Sequence, residues 1–279
     1  MRFQYLLAAT VVVLVTAALG AVIVNDQPTD TQVRTLRALY AIEPPFAFVD
    51  GDGRVTGEAP ELLRVVARRA GLGEVEFVHA EFGRLLHGLE LGRADVVASG
   101  MFITPERSRR VRFTRPTARV GSALLVRRGN PLGLHRLEDV AGQPDAVLAV
   151  IDGAVEQVRA SRSGVPRTRI QPHADVASAT AALNDGRADA FALSDVSLQY
   201  WLAGDGAPDV ELVMPADPAL TENPPDSGSP AFAVRLRDEA VARRLDAALD
   251  EYLGSAEHRA LVAAFGFGRR NLPLRGTGQ

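Results

Sequence analysis

The chain has 279 residues, 47% of them apolar, and a formal net charge of -3, which suits one large or two modest folded domains and excludes a disordered chain. Its basic residues are scattered, so no phosphate-binding stripe forms and nucleic acid is excluded as a partner. All 31 basic residues are Arg and there is no Cys, which removes Lys-based covalent chemistry, a thiolate nucleophile, a disulfide framework and a Cys-ligated metal.

An uncharged apolar run from Leu6 to Val24 follows Arg2. It is longer than the ~7 to 15 apolar residues of most secretory signals and close to the ~20 that span a bilayer as a helix. Residues 1–25 therefore read as a signal peptide or an N-terminal membrane anchor, and either one exports the chain. Residues 26–34 are polar and aperiodic and read as a linker.

From Leu36 onward, short apolar runs alternate with helical patterns. Leu36 to Tyr40, Val75 to His79 and Asp95 to Ser99 read as strands, with Ala59 to Ala70 and Phe82 to Leu91 as helices between them. The alternation resumes from Ala146 to Leu202, so the chain predicts two α/β units, each a helix-covered sheet. The blocks at 92–95 and 186–189 both read Gly-Arg-Ala-Asp. In each, Gly ends a helix and the next apolar run enters a sheet, so the repeat has a structural explanation and marks one equivalent element per unit. Gly121 to Val126 and Ala231 to Val234 are the expected crossings between units, and two crossing strands make a hinge. The chain then ends in helical patterns at Arg237 to Leu253 and Glu257 to Phe265.

Three segments of the first unit fall where a strand ends, and such ends line the ligand crevice of open α/β sheets. They carry Glu43 with Phe46, then Phe82, and then Gly100 to Arg107. Phe is also the ordinary core residue, so a buried cluster is one reading of Phe46, Phe82 and Phe102 and a box of ring faces around a cation is the other. Arg107 has the fork that binds a carboxylate through two hydrogen bonds, or it forms a surface pair. A box, an acid at Glu43 and a fork at Arg107 together describe a zwitterion site. The five His residues are dispersed, so the sequence offers no metal site, no cofactor motif and no catalytic set.

Thr104-Pro105-Glu106-Arg107, followed by Val111 to Pro116, resembles the signature of periplasmic binding proteins for amino acids and other polar solutes. The blocks at 57–61, 100–107, 129–135, 153–157 and 265–267 together resemble the ectoine and hydroxyectoine binding proteins of ABC transporters. This resemblance, over residues 35 to 268, implies a two-lobed periplasmic-binding-protein-like α/β fold of type II, with two mixed sheets flanked by helices and joined by a two-strand hinge. Residues 35–125 plus 231–279 would form one lobe and 126–230 the other. It also implies a cage of Phe46, Phe82 and Phe102 around a cationic ring, with Glu43 on the ring nitrogens, Gly100 beside the cage and Arg107 on the carboxylate. Gly153, Ala154 and Val155 would offer backbone amides from the second lobe. The partners implied are a small-molecule ligand and a membrane permease, outside the cytoplasm, with the protein a monomer. Amino-acid binders usually carry a hydroxyl residue where Phe102 stands and an Asp where Ser194 stands, with Asp195 one place later as a substitute for that acid. A polar amino acid is the alternative solute. A cyclohexadienyl dehydratase-like enzyme and a tethered sensor domain are the remaining alternatives.

Overall fold

Strand β1, Leu36–Tyr40, is buried along nearly its whole length because it is central in a sheet covered on both faces. The computed structural model describes residues 35–204, 209–214 and 228–273. The apolar run Leu6 to Val24 lies outside them, and among the described residues no helix is long and apolar enough to cross a membrane.

After β1, the hairpin of β2 (Phe48–Val49) and β3 (Val55–Thr56) leads into helix α1 (Glu58–Arg69), and strand β4 (Val75–His79) follows. Helix α1 buries Leu62, Leu63, Val66 and Ala67, a spacing that lays one stripe on the sheet. A single 3-10 turn at Phe82–Arg84 precedes α2 (Leu85–Glu90), where the sequence predicted one continuous helix. Strands β5 (Val96–Val97) and β6 (Val111–Phe113), with the short helix α3 (Pro105–Ser108) between them, complete the outward path through the first lobe.

The second lobe contains β7 (Ser122–Arg127), α4 (Leu137–Gly142), β8 (Leu148–Ile151), α5 (Val155–Arg162), β9 (Ile170–His173), α6 (Val176–Asn184), β10 (Ala190–Ser194), α7 (Asp195–Ala203) and β11 (Val210–Val213). Strand β12 (Ala233–Arg235) and helices α8 (Glu239–Tyr252) and α9 (Ala256–Ala263) return to the first. The first sheet runs β4-β1-β5-β12-β6 and the second β11-β7-β10-β8-β9. In both, the strand that arrives from the other lobe is the antiparallel one: β12 against β5 and β6, and β7 against β10 and β11.

The crossings lie next to the predicted segments. Val120 and Gly228 exchange backbone hydrogen bonds of 3.0 and 2.8 Å, and the Thr117 N–H donates to Pro230 O at 2.8 Å. Ala231 to Val234 is thus not the crossing itself. Phe232 and the following strand are buried in the first sheet, and the adjacent Gly- and Pro-containing segment is what passes between lobes. Ser122 to Arg127 lies wholly within the second sheet.

The two Gly-Arg-Ala-Asp blocks perform one job in the two lobes. Asp95 accepts the Arg37 N–H at 3.1 Å and pairs with Arg235 at 3.1 Å, whereas Asp189 accepts the Val147 N–H at 2.9 Å and pairs with Arg127 at 2.8 Å. Each carboxylate fastens a strand start to an Arg of a neighbouring strand. Substituting Asp189→Ala should therefore lower unfolding stability by about 1 to 3 kcal/mol in urea melts, with solute affinity unchanged.

Candidate functional site

Between the sheets lies a cavity of about 260 Å³, lined by Glu43, Phe82, Gly100, Phe102 and Arg107 from the first lobe and by Ala154, Val155, Glu156, Leu193 and Ser194 from the second. Seven of the eight residues singled out in the sequence meet there. The eighth, Phe46, is 1% exposed and packs edge-on against Phe267 at 5.4 Å. It lies directly under Gly100, where an added Cβ would sit 2.5 Å from the Phe46 ring and where φ is +63°. Only glycine permits that approach. The ring is therefore a floor beneath the cavity, and the expected three-ring wall is a two-ring wall of Phe82 and Phe102.

Arg107 is positioned by a local cap. The Thr104 hydroxyl accepts the Arg107 N–H at 3.2 Å, and Pro105 opens the turn of α3. The guanidinium then donates to Phe102 O at 2.7 Å and, across the cleft, to Gly153 O at 2.8 Å. One Phe82 face lies 5.6 Å from it. Burial pushes this guanidinium down to about 10, against the pull of Glu156 and Glu43, so it stays cationic at neutral pH.

Glu43 sits at the end of β1, in a tight turn where its N–H donates to Ala47 O at 2.8 Å. Its carboxylate is 8% exposed and accepts the Ser197 hydroxyl of the other lobe at 2.9 Å; Ser197 in turn accepts from Ser194 at 2.8 Å. Burial pushes the Glu43 carboxyl up to about 8, opposed by the Ser197 hydroxyl and reinforced by the Glu156 charge.

Glu156 is the residue that sequence reasoning missed. It occupies the first turn of α5, where acids are ordinary, yet it is 2% exposed and faces the cavity. Its carboxylate accepts the Ser122 hydroxyl at 3.0 Å and lies 4.0 Å from Arg159, which also donates to Ser122. Burial raises its pKa and Arg159 opposes the rise.

Two expectations about the second lobe need correction. The N–H groups of Gly153 and Ala154 are engaged, donating to the Gln157 side chain at 3.1 Å and to Ile151 O at 3.0 Å, because the turn into α5 consumes them. Asp195 does not substitute for Ser194. Its carboxylate accepts the N–H groups of Gly121 (3.2 Å) and Val196 (2.8 Å) and lies 3.8 Å from Arg270, so it braces the crossing and not the cavity.

Two mixed sheets joined by paired crossings, with a guanidinium, acids and rings enclosed between them, define a two-lobed protein that closes on a small polar solute. The chain belongs to the bacterial extracellular solute-binding proteins, family 3, whose model matches residues 36–268. It is 32% identical over 230 residues to the probable amino-acid ABC transporter periplasmic-binding protein y4tE of Sinorhizobium fredii, covering 81% of this chain and 75% of that one. Its fold matches the crystal structure of EhuB in complex with hydroxyectoine (TM-score 0.76, 33% identity, 84% of this chain and 89% of that chain). It also matches an ancestral arginine-binding protein bound to arginine (TM-score 0.73, 26% identity, 84% and 99%). The fold is that of the type II periplasmic binding proteins, which work outside the cytoplasm with ABC transporter permeases.

A stability consequence follows from the buried acids. Glu58, fully buried at the start of α1 beside Thr117, is pushed up to about 7 by burial. Both Glu43 and Glu58 thus hold protons more tightly in the folded chain than in the unfolded one. Their contribution is present in full near pH 4.5 and is lost as pH rises through about 7 and 8. The ligand-free protein should melt at falling temperature from pH 5 to pH 8, and Glu58→Gln should flatten that slope.

Proposed function

We propose that this protein is the solute receptor of an ABC importer and that its solute is a compact zwitterion, ectoine or hydroxyectoine. The observation that carries the reading is the chemistry of the cavity. Arg107 meets a carboxylate, and Glu43 is the acid left for a cation, since Glu156 already has Arg159 and Ser122. Where a primary ammonium would need acceptors, the cavity offers the Phe102 ring and the Ser194 hydroxyl, which caps α7. A ring-delocalised cation needs no such tripod: it stacks on aromatic faces and gives its N–H groups to one carboxylate. The likeness to EhuB with hydroxyectoine supports this choice. A small polar amino acid on the same Arg107 is the second reading, favoured by the amino-acid relative. No histidine lines the cavity, and we assign the protein no catalytic role. The two lobes part and close about the crossings at 117–121 and 228–230, and the segment 1–25 exports the chain or holds it at the membrane beside its permease.

Titration calorimetry with ectoine, hydroxyectoine, L-glutamine and L-arginine tests the reading. Ectoine should bind at micromolar concentration, and Phe102→Ala should weaken it at least about fivefold, the ~1 kcal/mol of a cation-facing ring. Heat from an amino acid with none from ectoine overturns the solute assignment. Unchanged affinity in Phe102→Ala, with a lowered melting temperature, makes Phe102 a core residue.

The acid gives a second expectation. A bound cation needs Glu43 ionised, and the empty cavity holds it protonated below about 8. Ectoine affinity should rise with pH from 6 to 8 and level off above, by no more than about tenfold per pH unit for one proton; Glu43→Gln should bind weakly and without that dependence.

A further inference from the structure

Beyond Glu43 the cleft widens into a second cavity of about 1460 Å³, open to solvent and sharing Glu43 and Phe82 with the inner one. Although Arg makes up every basic residue of the chain, none lines this outer chamber. Its walls carry the acids Glu43, Glu81 and Asp175 and the rings of Phe82, Tyr200 and Trp201. Glu43 joins the two cavities and is more than nine-tenths buried. On the opposite side of the cleft, the mouth is lined by Arg107, Arg159 and Arg162 against Glu106 and Glu138. The cleft is therefore polarised, with cationic groups on the Arg107 side and acids with ring faces on the Glu43 side. The outer rim is held by Tyr200 of the second lobe, whose ring lies 5.7 Å from that of Phe48 in the first.

We propose that the outer chamber is a second solute subsite, which takes the cationic arm of an elongated zwitterion whose carboxylate is on Arg107. This rests on the proposed role of Arg107 as carboxylate anchor. A compact ring is accommodated in the inner cavity. A longer solute in the same orientation passes its arm over Glu43 and meets acids and ring faces, the environment that binds a desolvated organic cation. Selectivity between short and long zwitterions would then reside in Glu81, Tyr200 and Trp201, none of which touches the inner cavity.

Trp201 is the one tryptophan of the chain, so its fluorescence reports on the chamber alone. The test compares L-arginine with ectoine on the full-length protein, by calorimetry and by acrylamide quenching of Trp201. L-arginine should bind and shield Trp201 more strongly than ectoine does. Trp201→Leu and Glu81→Gln should each weaken L-arginine at least ~3-fold, within the range of one cation–aromatic or exposed charge contact, and leave ectoine within a factor of two. Glu81 is exposed, so its variant keeps the fold if Trp201→Leu does not. L-arginine bound with no extra shielding, or weakened no more than ectoine by both variants, overturns the subsite. Ectoine bound with no L-arginine binding also overturns it and leaves the compact-solute reading standing. L-arginine bound in the chamber with no ectoine binding does the reverse.

Discussion

The cleft depends on a single guanidinium. Arg107 donates to a backbone carbonyl in each lobe, Phe102 O and Gly153 O, so the two halves of the protein share one cation between them. Removing a charge from water is costly unless hydrogen bonds replace the lost hydration, and these two carbonyls replace part of it. They are neutral acceptors. A carboxylate makes shorter and stronger bonds to the same fork, so a solute gains on entry only the difference between its own carboxylate and the carbonyl it supplants. Affinity in such a site is set by how well the closed, empty cleft already satisfies itself.

The wall opposite the guanidinium ties occupancy to the crossings. Phe102 bridges to Pro230, and an added Cβ at Gly228 would lie 2.1 Å from the Phe102 ring, so the ring rests on the returning segment itself. Phe46 is wedged beneath Gly100, in the cluster that also holds Phe102, Val120 and Val155. A solute pressing on Phe102 therefore presses on the segment about which the lobes turn. Helix α7 completes the link, because Ser197 reaches Glu43 and Asp195 reaches the Gly121 N–H at the other crossing.

Much of this was legible in the residues, and the misses have physical causes. Strand–helix alternation and the paired Gly-Arg-Ala-Asp blocks were visible because periodicity and helix-ending glycine are local signals. Arg107 was visible because Thr104 and Pro105 announce the turn that aims it. Phe46 was misplaced because a phenyl ring carries the same signal on a cavity wall as beneath it; only the absence of a side chain at Gly100, 54 residues on, decides which. The crossings were shifted because an apolar run such as Ala231 to Val234 marks burial, whereas a hinge strand is held by backbone bonds that leave no mark on composition. Glu156 was hidden in the first turn of a helix, where an acid is commonplace.

Glu156 also explains why the site can take a solute of zero net charge. Two acids and Arg107 alone would leave the cavity with one uncompensated negative charge and favour a ligand of net charge +1. Arg159, from the next turn of α5, lies 4.0 Å from Glu156 and shares Ser122 with it, which returns the local sum to one acid against one base. The solute's charge is thereby set one layer behind the surface it touches. The same arrangement leaves Glu43 with only hydroxyl partners, so its ionisation is settled by what enters the cleft and not by the protein around it.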